Sequence, residues 1–318
     1  MSNKSNDIGR AFEYACIVEL KKRISEFRPA VIKKDTTEAS ARAWNYVIAS
    51  TQNDLTKAAN AYIDTLFSAE PLILECDNDS DIIELSINKD SDAEAGDVRD
   101  IVITRGSIRW DIGLSMKHNH FAAKHSRLSE SIDFGSKWYG IPCSNIYWEA
   151  IHPIFEGLKT LKNVEVKWKD MYDKETTVYI PLLNAFKAEI ERAYQQNKDI
   201  PAKLLSYLLG TRDFYKVVAI DSKRVTEFQS FNLRGELNHD GKHSKPTLII
   251  PVTALPTEII SIRFKPNSTN TVELYMNNGW SLSFRIHNAS TIVESSLKFD
   301  VQFIGVPSNI ITVNCVWR

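Results

Sequence analysis

The sequence predicts an α/β protein, with an α/β region over residues 1–212 followed by a β-rich region over 213–318. Three observations predict it. Apolar residues recur at helical spacing near the N-terminus and again from about Asn145. Short runs of alternating apolar and polar residues lie between those stretches, around residues 81–117. After Gly210 nearly every apolar run is short and strand-like.

The elements follow in order. IGRAFEYACIVELKKRISEF follows Asp7, a helix-capping residue, and sets Ile8, Phe12, Cys16, Leu20, Ile24 and Phe27 near one stripe. TTEASARAWNYVIAS and DLTKAANAYIDTLFSAE read as two more helices, the second stopped before Pro71 because the residue ahead of a proline avoids helical dihedrals. LILE and DIIELSI are strand-like, and the acidic loop NKDSDAEAGD follows. VRDIVITR and SIRWDIGLSMK read as adjacent strands turning at Gly106-Ser107. In the second of these, Ile112, Leu114 and Met116 alternate with Asp111, Gly113, Ser115 and Lys117, so one face is apolar and the other polar. A helix is expected after Lys117, carrying Lys124 and Arg127 one turn apart on a shared face. NIYWEAIHPIFEGLKTL, LLNAFKAEIERAYQQ and PAKLLSYLLG are helical, with Gly210 as a stop. FYKVVAI, TLIIPV, EIISIRF, TVELYM, WSLSFRI, LKFDVQFIG and ITVNCVWR then read as strands. MNNGW is a hairpin turn, since Asn-Gly tolerates positive φ.

Composition narrows the class. A chain of 318 residues with 43% apolar and 25% charged content can bury a large core and is that of a soluble globular protein. MSNKSNDIGR lacks the apolar run of a signal peptide, and no apolar run is long enough to span a bilayer, so a cytoplasmic protein with no membrane partner is expected. Cys16, Cys76, Cys143 and Cys315 stand singly, the pattern of reduced thiols rather than of a disulfide frame or a zinc site. A net charge of −1 excludes a globally basic nucleic-acid coat and leaves room for local basic clefts.

Chemistry concentrates between Glu75 and Glu130. Residues 75–100 hold ten carboxylates against Lys89 and Arg99 alone. His118, Asn119, His120, Lys124, His125 and Arg127 follow Lys117 with no acid before Glu130, an arrangement suited to an anion. Asp100 opens the run Ile101-Val102-Ile103 and Lys117 closes the next strand, so a hairpin at Gly106-Ser107 would make them cross-strand neighbours. An acid and an amine so placed suit metal-assisted phosphodiester hydrolysis, the carboxylate holding Mg²⁺ and the lysine meeting the charge on phosphorus. Bland readings stand beside each: Glu130 as a helix-surface partner of Arg127, Glu13 as a solvated helix residue, Asp97 as an acidic loop end, Asp111 as a partner of Arg109. The triplet His118-Asn119-His120 is no HNH nuclease motif, whose residues are dispersed. Lys124 and Arg127 read as phosphate clamps or as a solvated face. FNLRGELNHDGKHSKP, with Arg234, His239, Lys242, His243 and Lys245, is a second basic loop that suits a DNA major groove, or is an ordinary connector. Asn277, Asn278 and Trp280 offer groove contacts or a plain hairpin tip.

GDVRDIVI followed by IGLSMKHN resembles the PD-(D/E)XK nucleases, which place an Asp before an apolar strand and an acid-x-Lys on the next. Two departures stand out: Val98-Arg99 replaces the proline context, and Ser115 stands where the second acid belongs. Members with Ser-x-Lys draw the missing carboxylate from a following helix, which implies Glu130, and many carry a glutamate in the first helix, which implies Glu13 in GRAFEYACIVEL. SMKHNHFAAKHSRLS, with GRAFEYACIVEL in support, more closely resembles the HaeIII-type type II restriction endonucleases, over the full chain. That resemblance implies a restriction-endonuclease-like mixed-sheet core with flanking helices in a catalytic region 1–212, with the β-rich region 213–318 available for DNA recognition. It implies an enzyme that uses Mg²⁺ to cut both strands of double-stranded DNA within GGCC, leaving blunt ends, with Asp100, Lys117 and Glu130 catalytic and Asp100, Glu130 and Glu13 at the metal. His118, Asn119, His120, Lys124, His125, Arg127, Arg234 and Lys242 are then the expected DNA contacts, and a palindromic site favours a homodimer. A structure-selective repair or recombination nuclease and a non-catalytic DNA-binding protein are the competing readings.

Overall fold

The computed structural model describes residues 4–78, 80–89, 96–119, 122–288 and 290–318, with side chains throughout except at 4–6 and 122–125. Helix α1 (Lys4–Ile24) forms where apolar residues recur every three or four positions, and it buries Phe12, Cys16, Leu20 and Ile24 completely. Phe27 lies beyond its end and is 59% exposed, so it does not belong to that stripe. Then come β1 (Ala30–Ile32), α2 (Glu38–Tyr46), α3 (Ala49–Ala61) and α4 (Ile63–Ala69). LILE, expected as a strand, instead belongs to a buried 3₁₀ turn over Pro71–Ile73 and its continuation, a conformation that the fixed φ of Pro71 favours. Strands β2 (Ile83–Ile87), β3 (Ile101–Arg105) and β4 (Trp110–His118) follow.

After β4 the pattern predicts a helix, and the chain forms a strand, β5 (Ala122–Ser129). Ser126 and Leu128 are buried and Arg127 is exposed, the two-residue period of a strand, so the helix face meant to join Lys124 and Arg127 does not exist. Next are α5 (Phe134–Tyr139), α6 (Asn145–Asn163), α7 (Ile180–Gln196) and α8 (Ile200–Leu209), the last ending at Gly210 with φ 80°. The remainder is β6 (Phe214–Ile220), β7 (Val225–Phe231), β8 (Ile259–Phe264), β9 (Thr271–Met276), β10 (Ser281–His287), β11 (Ser296–Gly305) and β12 (Thr312–Val316). TLIIPV is not a strand: the Asn238 side chain takes the Ile250 N–H at 2.8 Å and donates to the Leu248 carbonyl at 2.9 Å, occupying backbone groups a ladder would need. The MNNGW turn does join β9 to β10, with Asn278 and Gly279 at φ 58° and 85°.

The strands make two sheets. One has seven strands in the order β1-β2-β3-β4-β6-β7-β12 and is mixed, with β1–β2 and β4–β6 parallel and the other pairs antiparallel. The other has five antiparallel strands in the order β5-β11-β10-β9-β8. The chain divides into two compact units, Met1–Phe121 with Gly210–Thr253 and Ser308–Arg318, and Ala122–Leu209 with Ala254–Pro307. It therefore passes between the units four times.

In the first unit, Leu85, Ile101, Ile103, Ile112, Leu114, Tyr215, Val217 and Phe228 fill one face of the seven-stranded sheet together with Phe12, Cys16, Leu55 and Leu66 from the helices. In the second, Phe186 lies 5.1 Å from Phe134, 5.1 Å from Phe284 and 4.9 Å from Phe299 between ring centres.

Two of the buried acids in the first unit, Asp81 and Glu70, shift in opposite directions. Asp81, 1% exposed, accepts from Arg105 Nη2 at 2.6 Å and Ser107 Oγ at 2.6 Å, and pairs with Arg28 Nη2 at 2.7 Å. Burial would raise its carboxyl, but these donors outweigh it and hold the group well below the usual carboxylate range. Glu70 is the opposite case. Tyr215 Oη and the Asn238 N–H reach its Oε1 at 2.5 and 2.7 Å, yet burial dominates and pushes the carboxyl up to about 7. An acid raised on folding binds a proton that the unfolded chain has released, so its contribution to stability falls as pH rises from about 4.3 toward 7. Glu70→Gln keeps an Oε1 acceptor and should flatten that slope, removing up to about 3 kcal/mol of loss between pH 4 and 8. Urea unfolding at several pH values reads this directly, and an unchanged slope would assign the titration to another group.

Candidate active site

Strand pairing alone brings the first candidates together. The Asp100 N–H donates to the Leu114 carbonyl at 2.8 Å, extending the β3–β4 ladder by one residue beyond Ile101↔Leu114. Asp100 thus faces Ser115 across the hairpin. Alternation along β4 turns Leu114 and Met116 to the core and Ser115 and Lys117 to the polar face. Asp100 Oδ2 accepts from Met116 N–H at 2.6 Å, Lys117 Nζ at 3.0 Å and Ser115 Oγ at 3.3 Å. The Asp100 and Lys117 side chains remain 29% and 28% exposed. Among the described residues no donor engages Asp100 Oδ1, which leaves lone pairs open to a cation or water.

The polar row continues into β6. Ser115 pairs with Lys216 and Lys117 with Val218 in the parallel register. Lys216 is buried, and burial, reinforced by the like charge of Lys117 and opposed by Glu227, brings its ammonium down to about 8. This lysine was missed from the sequence, where the signal was a single cation inside the apolar run FYKVVAI.

Farther along the same hairpin the acids are already committed. Arg99 donates to both Asp97 oxygens, at 2.8 and 2.7 Å, and to Asp111 at 2.5 Å, while Arg212 reaches Asp111 at 3.1 Å. Burial tends to raise the Asp97 and Asp111 carboxyls, and the guanidinium hydrogen bonds prevail and lower both. Asp111 therefore pairs with Arg99 and Arg212, where sequence offered Arg109. Gly113 makes room for this: a Cβ there would lie 2.0 Å from Arg99 Cδ.

Other candidates fall elsewhere. His118 Nε2 and Asn119 Nδ2 meet Asp221 at 3.0 and 2.8 Å, and Asp221 N–H returns to Asn119 Oδ1 at 3.0 Å, a clamp between the ends of β4 and β6. His120 lies outside the described residues, as do the side chains of Lys124 and His125. Arg127 bonds Ser296 Oγ at 2.9 Å and Glu294 at 3.3 Å. Glu130 stands in the turn after β5, not on a helix, and its carboxylate is ion-paired with Lys159 instead of Arg127. Asp100 and Glu130 belong to different units. Arg234 donates to Gly210 O at 2.8 Å and Asp213 at 3.3 Å, and buried Asp213 also gathers the N–H groups of Leu233, Arg234 and Glu236. Lys242 is 71% exposed, on a loop whose Lys242 and His243 N–H groups bind the Glu75 carboxylate. Trp280, a suggested groove contact, is fully buried with its Nε1 on the Ala254 carbonyl at 2.9 Å.

Glu13 lines a cavity of about 280 Å³ with Arg10, Glu38, Arg42, Asn88 and Lys89. Asn88 in turn donates its N–H to the Asp100 carbonyl at 2.9 Å, so this cavity adjoins the residue that carries the catalytic candidate. Among the described residues no three His, Cys, Asp or Glu side chains form a ready-made metal cluster. The donors around Asp100 are hard oxygens, a carboxylate and a hydroxyl, with one carboxylate oxygen open. They fit Mg²⁺, which is held by one or two carboxylates and keeps several waters.

No described helix is long and apolar enough to cross a membrane. No solved structure matches the chain. It is 48% identical over 320 residues, all of both chains, to the type II restriction enzyme HaeIII of Haemophilus aegyptius. A family model for HaeIII restriction endonuclease matches residues 9–307, which takes in the Asp100–Ser115–Lys117 hairpin and Lys216 alike. The chain belongs to the HaeIII restriction endonuclease family.

Proposed function

We propose that this chain is a cytoplasmic type II restriction endonuclease that cuts both strands of double-stranded DNA within GGCC by Mg²⁺-dependent hydrolysis. The observation that carries the reading is the convergence of Ser115, Lys117 and the Met116 N–H on one oxygen of Asp100, in a chain similar throughout to the HaeIII enzyme. Asp100 is the principal carboxylate for the metal. Bound Mg²⁺ supplies Lewis acidity toward the phosphoryl oxygen and a more acidic water. Lys117 places an ammonium where negative charge grows on phosphorus, and its bond to Asp100 fixes its position. Ser115 orients the same carboxylate, in the position where related nucleases carry an acid. His118, Asn119, His120, Lys124, His125, Arg127, Arg234 and Lys242 remain the proposed DNA contacts, and a palindromic target favours two copies of the chain, one for each scissile bond.

For the second carboxylate we favour Glu13 over Glu130. Glu13 shares a cavity with Asn88, the neighbour of Asp100. Glu13→Ala should cut at least about tenfold more slowly, the smallest loss normally seen for a metal's supporting shell, and Glu130→Ala should cut much like the parent. The reverse ranking returns the role to Glu130. The overall test is incubation with Mg²⁺ of one plasmid carrying GGCC and one from which every copy has been removed. Discrete blunt-ended fragments from the first alone support the reading. Nicks that follow DNA structure indicate a repair-type nuclease, and binding without cutting indicates a non-catalytic protein.

A further inference from the structure

We infer that Lys216 is a second catalytic lysine, standing beside Ser115 on the polar face of the sheet and contacting the scissile phosphate together with Lys117. The inference rests on the nuclease reading above. Lysine is seldom buried in a soluble protein, and Lys216 is buried on a central strand. β6 is buried along its whole length, and Lys216 is its only charged residue. The register sets that residue at the side of Ser115, which lies opposite Asp100, so an acid, a hydroxyl and an amine cross three neighbouring strands in one row. The next row adds Lys117 on the same face.

Two ammonium groups on one face repel, and the protein tolerates that where an anion of more than one charge is to be received. Phosphodiester hydrolysis supplies such an anion. As a water oxygen bonds to phosphorus and the bond to the leaving nucleotide's oxygen breaks, the non-bridging oxygens carry extra negative charge. The water's proton passes to solvent, and the departing oxygen takes one up. In this scheme Lys117, held by Asp100, and Lys216, held by its strand, each donate to a non-bridging oxygen, and neither gains nor loses a proton overall.

The experiment compares Lys216→Met, Lys216→Gln and Lys216→Arg with the parent and with Asp100→Asn. Single-turnover cleavage of a GGCC duplex is measured in Mg²⁺, duplex affinity in Ca²⁺, and folding by thermal unfolding. Lys216→Met should cleave about 10²–10³-fold more slowly, the loss seen when one transition-state donor is removed. Lys216→Arg should cleave faster than the Met variant because it keeps the charge. If the Met variant does not fold, the Arg and Gln variants are compared in the same way. Should Asp100→Asn be inactive while Lys216→Met or Lys216→Gln cuts within tenfold of the parent, this inference fails and the nuclease reading stands. An Arg variant no faster than an uncharged one also overturns it. If Asp100→Asn itself cuts normally, the fault lies in the site assignment, not in Lys216.

Discussion

Asp100→Asn should fold, bind a GGCC duplex and fail to cut it, losing about a thousandfold in single-turnover rate, which corresponds to roughly 4 kcal/mol of transition-state stabilisation. Asparagine is the informative replacement. Its side-chain oxygen can still accept the Met116 N–H, now bonded at 2.6 Å, so the hairpin keeps its geometry and only the negative charge is removed. Alanine would leave that N–H unsatisfied and mix a folding loss with the chemical one. The partner Lys117 is partly exposed, so losing the ion pair should shift stability by less than about 1 kcal/mol. Binding in Ca²⁺ should hold or tighten slightly, since a carboxylate near phosphate repels it. Lys117→Arg should also cut far more slowly than the parent, because a planar fork does not reproduce the compact ammonium that bonds Asp100 at 3.0 Å. A rate within tenfold of the parent for Asp100→Asn would take this residue out of the chemistry.

Asp81→Ala should be the most destabilising single change, by about 3–5 kcal/mol, because it strands a buried charge whose partner is gone. Arg105 is 1% exposed and directs Nε and Nη2 at Asp81, and Arg28 adds a second guanidinium at 2.7 Å. Asp77 and Glu75 are the nearest remaining acids, at 3.1 and 3.9 Å from Arg105. Since folding lowers the Asp81 carboxyl, its contribution is fully present above about pH 4 and is lost as the medium is acidified through the folded-state value. Urea unfolding at neutral pH and near pH 3 should therefore show the gap between parent and Asp81→Ala narrowing in acid. A gap of under about 1 kcal/mol at neutral pH would mean that water or Asp77 can replace Asp81.

The hairpin was legible because its logic is local. The alternation of Ile112, Leu114 and Met116 with Ser115 and Lys117, together with a Gly106-Ser107 turn, determines which residues oppose Asp100. The long helices were legible for the same reason. The stretch after Lys117 was not, because Lys124 and Arg127 fit helical spacing as well as Ser126 and Leu128 fit a strand, and only pairing with β11 decides between them. TLIIPV has the composition of a strand but loses its backbone partners to Asn238, a residue nine positions before Thr247. Lys216 went unnoticed because its neighbours in space, Ser115 and Lys117, lie about a hundred positions earlier. Arg99 and Arg212 were likewise invisible as the holders of Asp111, which is a contact that sequence adjacency to Arg109 obscured.

The parallel pairing of β4 with β6 also sets a timetable. Asp100 and Lys117 can meet as soon as one hairpin has been synthesised, but the strand that borders them arrives only after the whole of Ala122–Leu209 has been made. At ribosomal speeds that interval is roughly 5–20 seconds, and closing so long a loop is slow compared with forming the hairpin. A chain cut short before Phe214 would hold the acid and the first lysine on a sheet edge with open hydrogen-bonding groups, exposed to pairing with other chains. Completion of the polar face is thereby tied to near-completion of the polypeptide.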